Sequence, residues 1–213
     1  MSNSITLAVI RQHIRERGDV VNDPFITDSE LNTMINASYA SLYNLQVSLN
    51  QDYFVNESSM AVSSGVDSYP LPTDFHKCLG DDVLADGTKY IPLKKFVFAE
   101  RNRHGIMRYT IQANNLKLRP IPNGDYTLKL YYVPIYTQLT TDSSTLDGVN
   151  GYEEYIVWDC VVKCRQKKEE DPSIALSERE RIRGEIMEAA AERDSSAPAY
   201  VSNANSEWDD YCE

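Results

Sequence analysis

Apolar residues recur at helical spacing in two stretches near the start of the chain. The first stretch predicts a short helix over about residues 5–17, which ends at Gly18. The second predicts a longer helix over about residues 28–49 with one apolar face. Its apolar stripe repeats at steps of three and four residues: Leu31, Met34, Ile35, Ser38, Leu42 and Leu45.

The start of the second helix carries a capping box. Thr27 is followed three residues later by Glu30. In this motif the threonine hydroxyl accepts from the backbone N–H of the third helical residue, and the glutamate reaches back to the backbone of the cap. We therefore expect the helix to begin immediately after Thr27.

From about residue 51 to 148 the apolar period changes to two, which is typical of strands that bury one face. Residues 116–119 and 127–131 alternate most clearly. Asn123-Gly124 lies between them and predicts a hairpin turn, and Asp86-Gly87 and Asn114-Asn115 predict two more turns. The pattern favours an antiparallel meander of about five to seven short strands.

Helical spacing returns at Glu153. From Tyr155 to Cys164 the apolar residues surround the helix, which predicts burial on more than one side. A neighbouring subunit or the β region could cover the additional face. We therefore assign Tyr155, Trp158 and Val162 as candidate residues of a subunit interface.

A second C-terminal helix is predicted over about residues 173–193. Asp171 and Pro172 suit its N-cap and first helical position. Its apolar stripe is thin, and Glu and Arg occupy most other positions, so we expect an exposed surface with many ion pairs.

Residues 195–213 have a different composition. They contain Pro198, four acidic residues and no Lys or Arg, together with the aromatic residues Tyr200, Trp208 and Tyr211. Disordered segments are usually poor in aromatic residues. Large rings on a polar backbone favour a segment that orders when it binds a partner. A frayed terminus with incidental aromatic residues is the alternative.

Together these elements predict an α+β protein. Residues 1–50 and 151–194 would form an antiparallel four-helix layer from both chain ends. Residues 51–150 would form an inserted antiparallel β domain, either a sandwich or barrel-like. Residues 195–213 would form an extended C-terminal arm.

The 213 residues carry a net charge of −11, and residues 151–213 hold eight more acidic than basic side chains. A basic face for nucleic acid is therefore limited to a cluster that includes Arg101, Arg103 and Arg108. The first twenty residues are charged and no run of eighteen apolar residues occurs, so we expect neither a secretory signal nor a membrane span. The cysteine spacing favours reduced thiols in a cytosolic setting.

The sequence contains no recognisable catalytic motif. His13, His76 and His104 lie in different predicted elements, and Cys160 and Cys164 lack the further ligands of a zinc site. No glycine-rich nucleotide loop or serine-nucleophile motif is present. We expect no cofactor, no metal and no enzymatic activity, although a site assembled from distant residues would leave no such motif.

Several strings, in their order and spacing, resemble head-to-tail adaptor proteins of tailed bacteriophages, the class similar to tail tubular protein A. The resemblance spans about residues 28–195. The strings are YPLPTDF at residues 69–75, LKLRPIP at 116–122, YTLKLYYVP at 126–134 and GYEEYIVWDCVVKCRQKKEED at 151–171.

This resemblance implies a structural protein that forms a ring of about twelve copies beneath the phage portal. Such a ring extends the DNA channel, through which DNA passes during ejection without sequence-specific binding, and it receives the next tail component. The resemblance also implies that the C-terminal segment reaches the portal, so Tyr200, Trp208 and Tyr211 are candidate portal-binding residues. The protein would be made in the bacterial host cytoplasm and reside in the virion neck.

Alternative functions remain open from the sequence. The chain could be another neck or tail subunit, such as a nozzle or a fibre-attachment protein, and tail fibres could be partners. It could also be a DNA-binding packaging accessory that contacts phosphates through Arg101, Arg103 and Arg108. We expect this basic cluster to lie on a loop of the β domain. In an adaptor, this basic loop would face a tail partner or another subunit rather than DNA.

Overall fold

The computed structural model describes residues 4–79, 83–86, 89–97, 99, 107–146 and 151–192. Within these residues the chain is an α+β protein with four α-helices and two sheets. The helices are α1 Leu7–Arg17, α2 Asp28–Leu49, α3 Glu153–Lys167 and α4 Ser173–Glu192, and a short 3-10 helix, Gln51–Phe54, follows α2.

The strands lie between the two pairs of helices in the sequence. They are β1 Asn56–Val62, β2 Ser68–Pro70, β3 Phe75–Cys78, β4 Val83–Asp86, β5 Lys89–Pro92, β6 Lys94–Lys95, β7 Arg108–Gln112, β8 Asn115–Arg119 and β9 Tyr126–Pro134.

The strands form two sheets rather than one meander. The first has the order β1-β9-β4-β5, and β3 pairs with β9 beside β4. The second has the order β2-β8-β7-β6. All described pairs are antiparallel except β6 and β7, and neither sheet closes into a barrel within the described strands. The barrel-like alternative and the single meander are therefore wrong for this part of the chain.

The predicted hairpin at Asn123-Gly124 is also wrong. The strands on either side of it, β8 and β9, belong to different sheets. The connecting segment crosses from one sheet to the other and is held by the turn after β1, where Gly65 N donates to Pro122 O at 2.8 Å. A dipeptide that permits a turn does not specify which strands pair on either side of it.

The turn between β7 and β8 lies one residue earlier than predicted. Gln112 pairs with Asn115, so Ala113 and Asn114 form the turn. Ala113 adopts a φ of 52°, in the left-handed region that usually favours glycine or asparagine. The hairpin of β4 and β5 is as predicted, because Asp86 pairs with Lys89.

Both predicted N-terminal caps of the longer helices are confirmed. The Thr27 hydroxyl accepts from Glu30 N, and the Glu30 carboxylate accepts from Thr27 N at 3.1 Å. The Asp171 carboxylate accepts from Ser173 N at 3.0 Å. These side chains satisfy N–H groups that the first turn of a helix leaves without a backbone partner.

Helix α1 ends at Arg17, as predicted from Gly18. Gly18 itself does not adopt the left-handed backbone conformation that often ends a helix at glycine. Gly18 has a φ of −81°, and the left-handed residue is Asp19. A Cβ on Gly18 would lie 2.8 Å from Ile14 O. Glycine is therefore favoured here because a side chain would clash with a carbonyl oxygen in the last turn of α1.

The helices share one core cluster with residues from all four helices, including Ile10, Ile35, Val157 and Ile186. Helix α3 contacts α1, α2 and α4. Its apolar residues therefore surround it because three helices of its own chain cover it. The two ends of the sequence thus build a common core.

A second core cluster takes side chains from both sheets. Leu128 and Leu130 come from β9, and Tyr109, Leu116 and Leu118 come from β7 and β8. All five are at most 1% exposed. Their alternation with less buried residues matches the period of two in the sequence.

Helix α2 and the end of β9 are joined by a third cluster. Tyr43 and Val47 of α2 pack with Val133 of β9, and the Tyr43 hydroxyl donates to Pro134 O at 2.6 Å. Further along, the Asn36 side chain accepts from Leu139 N at 2.8 Å and donates to Leu139 O at 3.0 Å. These bonds hold the segment that leaves β9 against α2.

Candidate functional site

A buried charged network ties three helices together. The Asp159 carboxylate of α3 lies 2.7 Å from the Ser38 hydroxyl of α2, 2.8 Å from Lys163 Nζ and 3.0 Å from an Arg179 nitrogen of α4. Asp159 is 7% exposed. These contacts join α2, α3 and α4, so Asp159 has a structural role.

The electrostatics of Asp159 agree with that role. Burial by itself raises the pKa of the carboxyl, but hydrogen bonds from Lys163 and Ser38, the Lys163 charge and a bond from Arg179 together hold the pKa below 3.8. A catalytic acid or base at neutral pH needs the opposite shift, toward the working pH. Asp159 is therefore ionised and held as a structural anion.

The cysteines of α3 are buried thiols. Cys160 and Cys164 are 0% and 1% exposed. Burial raises the pKa of Cys160 to about 12, so the thiol stays protonated and unreactive at neutral pH. Among the described residues, no group of three or more His, Cys, Asp or Glu side chains is arranged to hold a metal ion.

The candidate interface residues of α3 differ in exposure. Tyr155 and Trp158 are half-buried, whereas Val162 is 3% exposed and packs within the helical core of its own chain. The Arg17 guanidinium lies 5.8 Å from the centre of the Trp158 ring and also pairs with Glu154. Tyr155 and Trp158 therefore retain surface that a second molecule could cover, and Val162 retains almost none.

A groove of about 660 Å³ opens where the helices meet the β region. Its walls are the segment that enters β1 and the segment that leaves β9, and Asp74 lies between them. The Tyr132 hydroxyl donates to both oxygens of Asp74, at 2.9 and 3.1 Å. The remaining lining residues are Tyr53, Phe54, Val55, Asn56, Pro134, Ile135, Tyr136, Thr137 and Gln138.

The groove does not resemble an active site. Its polar groups are the hydroxyls of Tyr53, Tyr136 and Thr137 and the amides of Asn56 and Gln138, and its one carboxylate, on Asp74, accepts from Tyr132. An active site requires a titratable group placed near a second group that it can activate. Local sequence patterns could not reveal the groove, because its two walls are about eighty residues apart in the chain.

The basic cluster lies partly outside the described residues. Arg101 and Arg103 are not described, whereas Arg108 is the first residue of β7 rather than part of a loop. In the backbone register of the second sheet, Arg108 lies opposite Lys94 of β6 and Arg119 of β8. The structure thus adds basic residues to Arg108 that sequence proximity alone did not reveal.

The arm residues Tyr200, Trp208 and Tyr211 also lie outside the described residues. Within the part of the chain that the structure describes, no helix is both long and apolar enough to cross a membrane.

We compared the sequence with models of known protein families and with curated proteins. The chain matches the SU10 adaptor protein family over residues 5–203. A search of curated proteins finds no match. The matched range includes all four helices and both sheets, and it agrees with the resemblance to phage head-to-tail adaptors. The chain therefore belongs to the SU10 adaptor protein family and is a phage head-to-tail adaptor protein.

Proposed function

We propose that this protein forms a ring beneath the portal of a tailed phage, extends the DNA channel and attaches the tail. The observation that carries the proposal is the family match over residues 5–203, which makes the chain a structural adaptor protein of the virion neck. An adaptor acts through contacts with portal and tail components. Ring formation and a copy number of about twelve are the specific parts of the proposal.

The two main cores support a specific proposal for the arrangement of the chain in this ring. The helices from both chain ends would form a four-helix layer, supported by the core cluster that they share. The two sheets would pack face to face as a sandwich, supported by the core cluster that both of them line. The β region would then extend from the helical layer as an inserted domain.

Contacts between copies would involve Tyr155 and Trp158. Both side chains are half-buried in one chain, and aromatic residues are enriched at the centres of protein interfaces. Val162 would support them from inside the core, because it is 3% exposed in the single chain.

The arm would bind the portal through Tyr200, Trp208 and Tyr211. Its support is composition: three large rings and several acids in a segment without Lys or Arg. Docking of such rings offsets the conformational entropy that a segment loses when it binds a partner. The basic residues Arg101, Arg103 and Arg108 would face a tail protein or a neighbouring subunit.

The decisive measurement is the mass of the purified protein, alone and after mixing with a portal ring, by light scattering coupled to size exclusion. We expect a complex with about twelve copies per portal ring. Trp158→Ala should weaken the ring, while Val9→Ala, which shortens an exposed apolar side chain on α1, should leave it unchanged. A protein that stays monomeric with the portal contradicts the proposal.

The same samples separate the alternative functions. Binding to a nozzle or fibre protein but not to the portal would identify another neck or tail subunit. A monomer whose DNA affinity falls steeply with salt would identify a DNA-binding accessory. Charge reversal of Arg101 and Arg103 that blocks tail attachment while DNA packaging proceeds would place the basic loop against a tail protein.

A further inference from the structure

The outer face of the second sheet carries a row of positive charges. Lys94 of β6 pairs with Arg108 of β7, which in turn pairs with Arg119 of β8. Residues paired across neighbouring strands project from the same face of a sheet. Lys117 lies two residues before Arg119 and so shares this face, whereas the alternate residues Tyr109 and Leu118 are buried in the core.

This row is unusual in a chain with a net charge of −11. Three strands spaced about 4.8 Å apart place Lys94, Arg108 and Arg119 within about 10 Å. Like charges directly opposite one another destabilise a sheet. Asp67 offsets part of the repulsion, because its carboxylate lies 2.9 Å from Arg119. We call Lys94, Arg108, Lys117 and Arg119 the basic face.

Exposed apolar side chains lie at both ends of the basic face. Val97 is 69% exposed, and the chain before it is held beside β7 by a bond from Phe96 N to Tyr109 O. At the other end, Val66 precedes Asp67, and Ile121 follows Arg119 by two residues. Val66 and Ile121 are 43% and 49% exposed. Exposed apolar side chains therefore lie close in the chain to the basic residues on either side of the row.

We propose that the basic face binds the acidic and aromatic end of this same polypeptide, residues 207–213. That segment reads Glu-Trp-Asp-Asp-Tyr-Cys-Glu and contains four acids and two large aromatic rings. Its acids match the four cations of the basic face. Its rings match the exposed Val97, Val66 and Ile121, which a partner carrying only charge would leave uncovered.

The composition of the surface favours this segment over DNA. A duplex presents phosphates and no apolar surface at its backbone, and affinity for it grows with the number of phosphates that are neutralised. The basic face is a small group of four cations in an otherwise acidic protein, and Arg119 within it is paired with Asp67. Repulsion from the rest of the molecule would oppose a duplex, whereas a short segment can lie on the basic face alone.

The contact has a consequence for assembly. The segment on the basic face is part of the arm that we propose binds the portal, so the two contacts exclude each other. The basic face would hold the arm in the free protein and release it when the portal binds the arm more tightly. The contact itself does not depend on ring formation or on the portal, and it is tested in the free protein.

The test is zero-length carbodiimide cross-linking of the full-length protein, followed by peptide mass spectrometry. The reagent joins a lysine amine to a carboxylate only when they touch. We expect cross-links from Lys94 or Lys117 to residues 207–213, with a yield that falls at least about fivefold between low salt and 1 M NaCl. Lys167 and Glu30, 2.6 Å apart, serve as the positive control, and Lys77 on the first sheet is the exposed negative control.

Exchanging the charges between the basic face and residues 207–213 separates loss of the contact from loss of folding. Lys94→Glu with Lys117→Glu, or Asp209→Lys with Asp210→Lys, should each abolish the cross-link. Combining all four should restore it with amine and carboxylate exchanged. Cross-linking of Lys167 to Glu30 without any link from the basic face to residues 207–213 overturns the proposal. So does a result in which the basic-face reversal weakens only duplex DNA binding.

Discussion

At the scale of single residues, Asp159 is the most constrained polar group in the helical core. It accepts from Ser38 on α2 and pairs with Lys163 on its own helix and Arg179 on α4. Burying a charge is unfavourable unless partners compensate for lost water. Removing the carboxylate would leave Lys163 and Arg179 without this anion in a partly dry site.

We predict that Asp159 contributes to acid denaturation. Its folded pKa lies below the ordinary value of 3.8, so its stabilisation is complete above that pH and is lost as the pH falls below 3.8 through the folded pKa. Asp159→Asn should reduce the free energy of unfolding at pH 7 by about 3–5 kcal/mol. The variant should also show a shallower fall in that free energy between about pH 5 and 2.

Urea unfolding across this pH range measures both effects. Asp142→Asn is the matched control, because Asp142 pairs with Arg11 at an exposed position, and it should change the free energy of unfolding by at most about 1 kcal/mol. Equal losses in the two variants would contradict a special role for the buried carboxylate.

A second prediction at this scale concerns Asn36, which bonds to both backbone groups of Leu139. Asn36→Ala should reduce the free energy of unfolding by about 2–5 kcal/mol, because it leaves two buried backbone groups unsatisfied. Thermal and urea unfolding measure the loss. Asn44→Ala changes an exposed asparagine of the same helix and should be nearly neutral.

At the scale of elements, α3 is the helix whose environment is most informative. It contacts α1, α2 and α4, and seven of its residues are buried. The apolar residues on all sides of α3 suggest contact with a second molecule, but the other three helices of the same chain cover most of them. Tyr155 and Trp158 are the part of the candidate interface that remains partly exposed.

We predict that Trp158→Ala affects assembly more than stability. A fully buried tryptophan costs about 3–5 kcal/mol when truncated, but this side chain is half-buried, so we expect about 1–2 kcal/mol in the free energy of unfolding. Unfolding of the free protein and light scattering of the assembled ring give the two values. A large stability loss with unchanged assembly would remove Trp158 from the proposed interface.

The cap of α2 gives a prediction of a different kind. Thr27→Ala removes the hydroxyl that accepts from Glu30 N and should reduce the free energy of unfolding by about 1 kcal/mol. Thr33→Ala, at an exposed position inside the same helix, is the control and should change it little. Helix content by circular dichroism should stay unchanged in both, since tertiary packing holds the rest of α2.

At the scale of the whole molecule, the helices before and after the β region depend on one another. Residues of α1 and α2 share a core with residues of α3 and α4, while the strands between them build a separate core. The junction at Tyr43, Val47 and Val133 joins the two. This organisation allows each region to present its own contact surface.

We predict that deletion of residues 195–213 leaves a folded protein that no longer binds the portal. The described helices and both cores lie before this segment, so the melting temperature should change little. Binding of the truncated and full-length proteins to a portal ring can be compared by sedimentation. Unchanged portal affinity would show that the arm is not the portal contact.

The sequence by itself determined the features that depend on nearby residues. The caps at Thr27 and Asp171 and the ends of the helices follow from side chains within one turn of the groups that they satisfy. The α+β class follows from the change of apolar period from 3.6 to 2. The order of several short strings was enough to indicate the family, which the match over residues 5–203 confirms.

Only the tertiary structure decided which distant elements meet. Asn123-Gly124 permits a hairpin, yet β8 and β9 enter different sheets, because pairing is set by side chains from several strands that fill a common core. In the same way, Arg108 joins Lys94 and Arg119 on one face, and Asp159 meets Ser38 and Arg179 from two other helices. Local spacing cannot encode such contacts, since the free energy that selects them comes from packing between segments far apart in the chain.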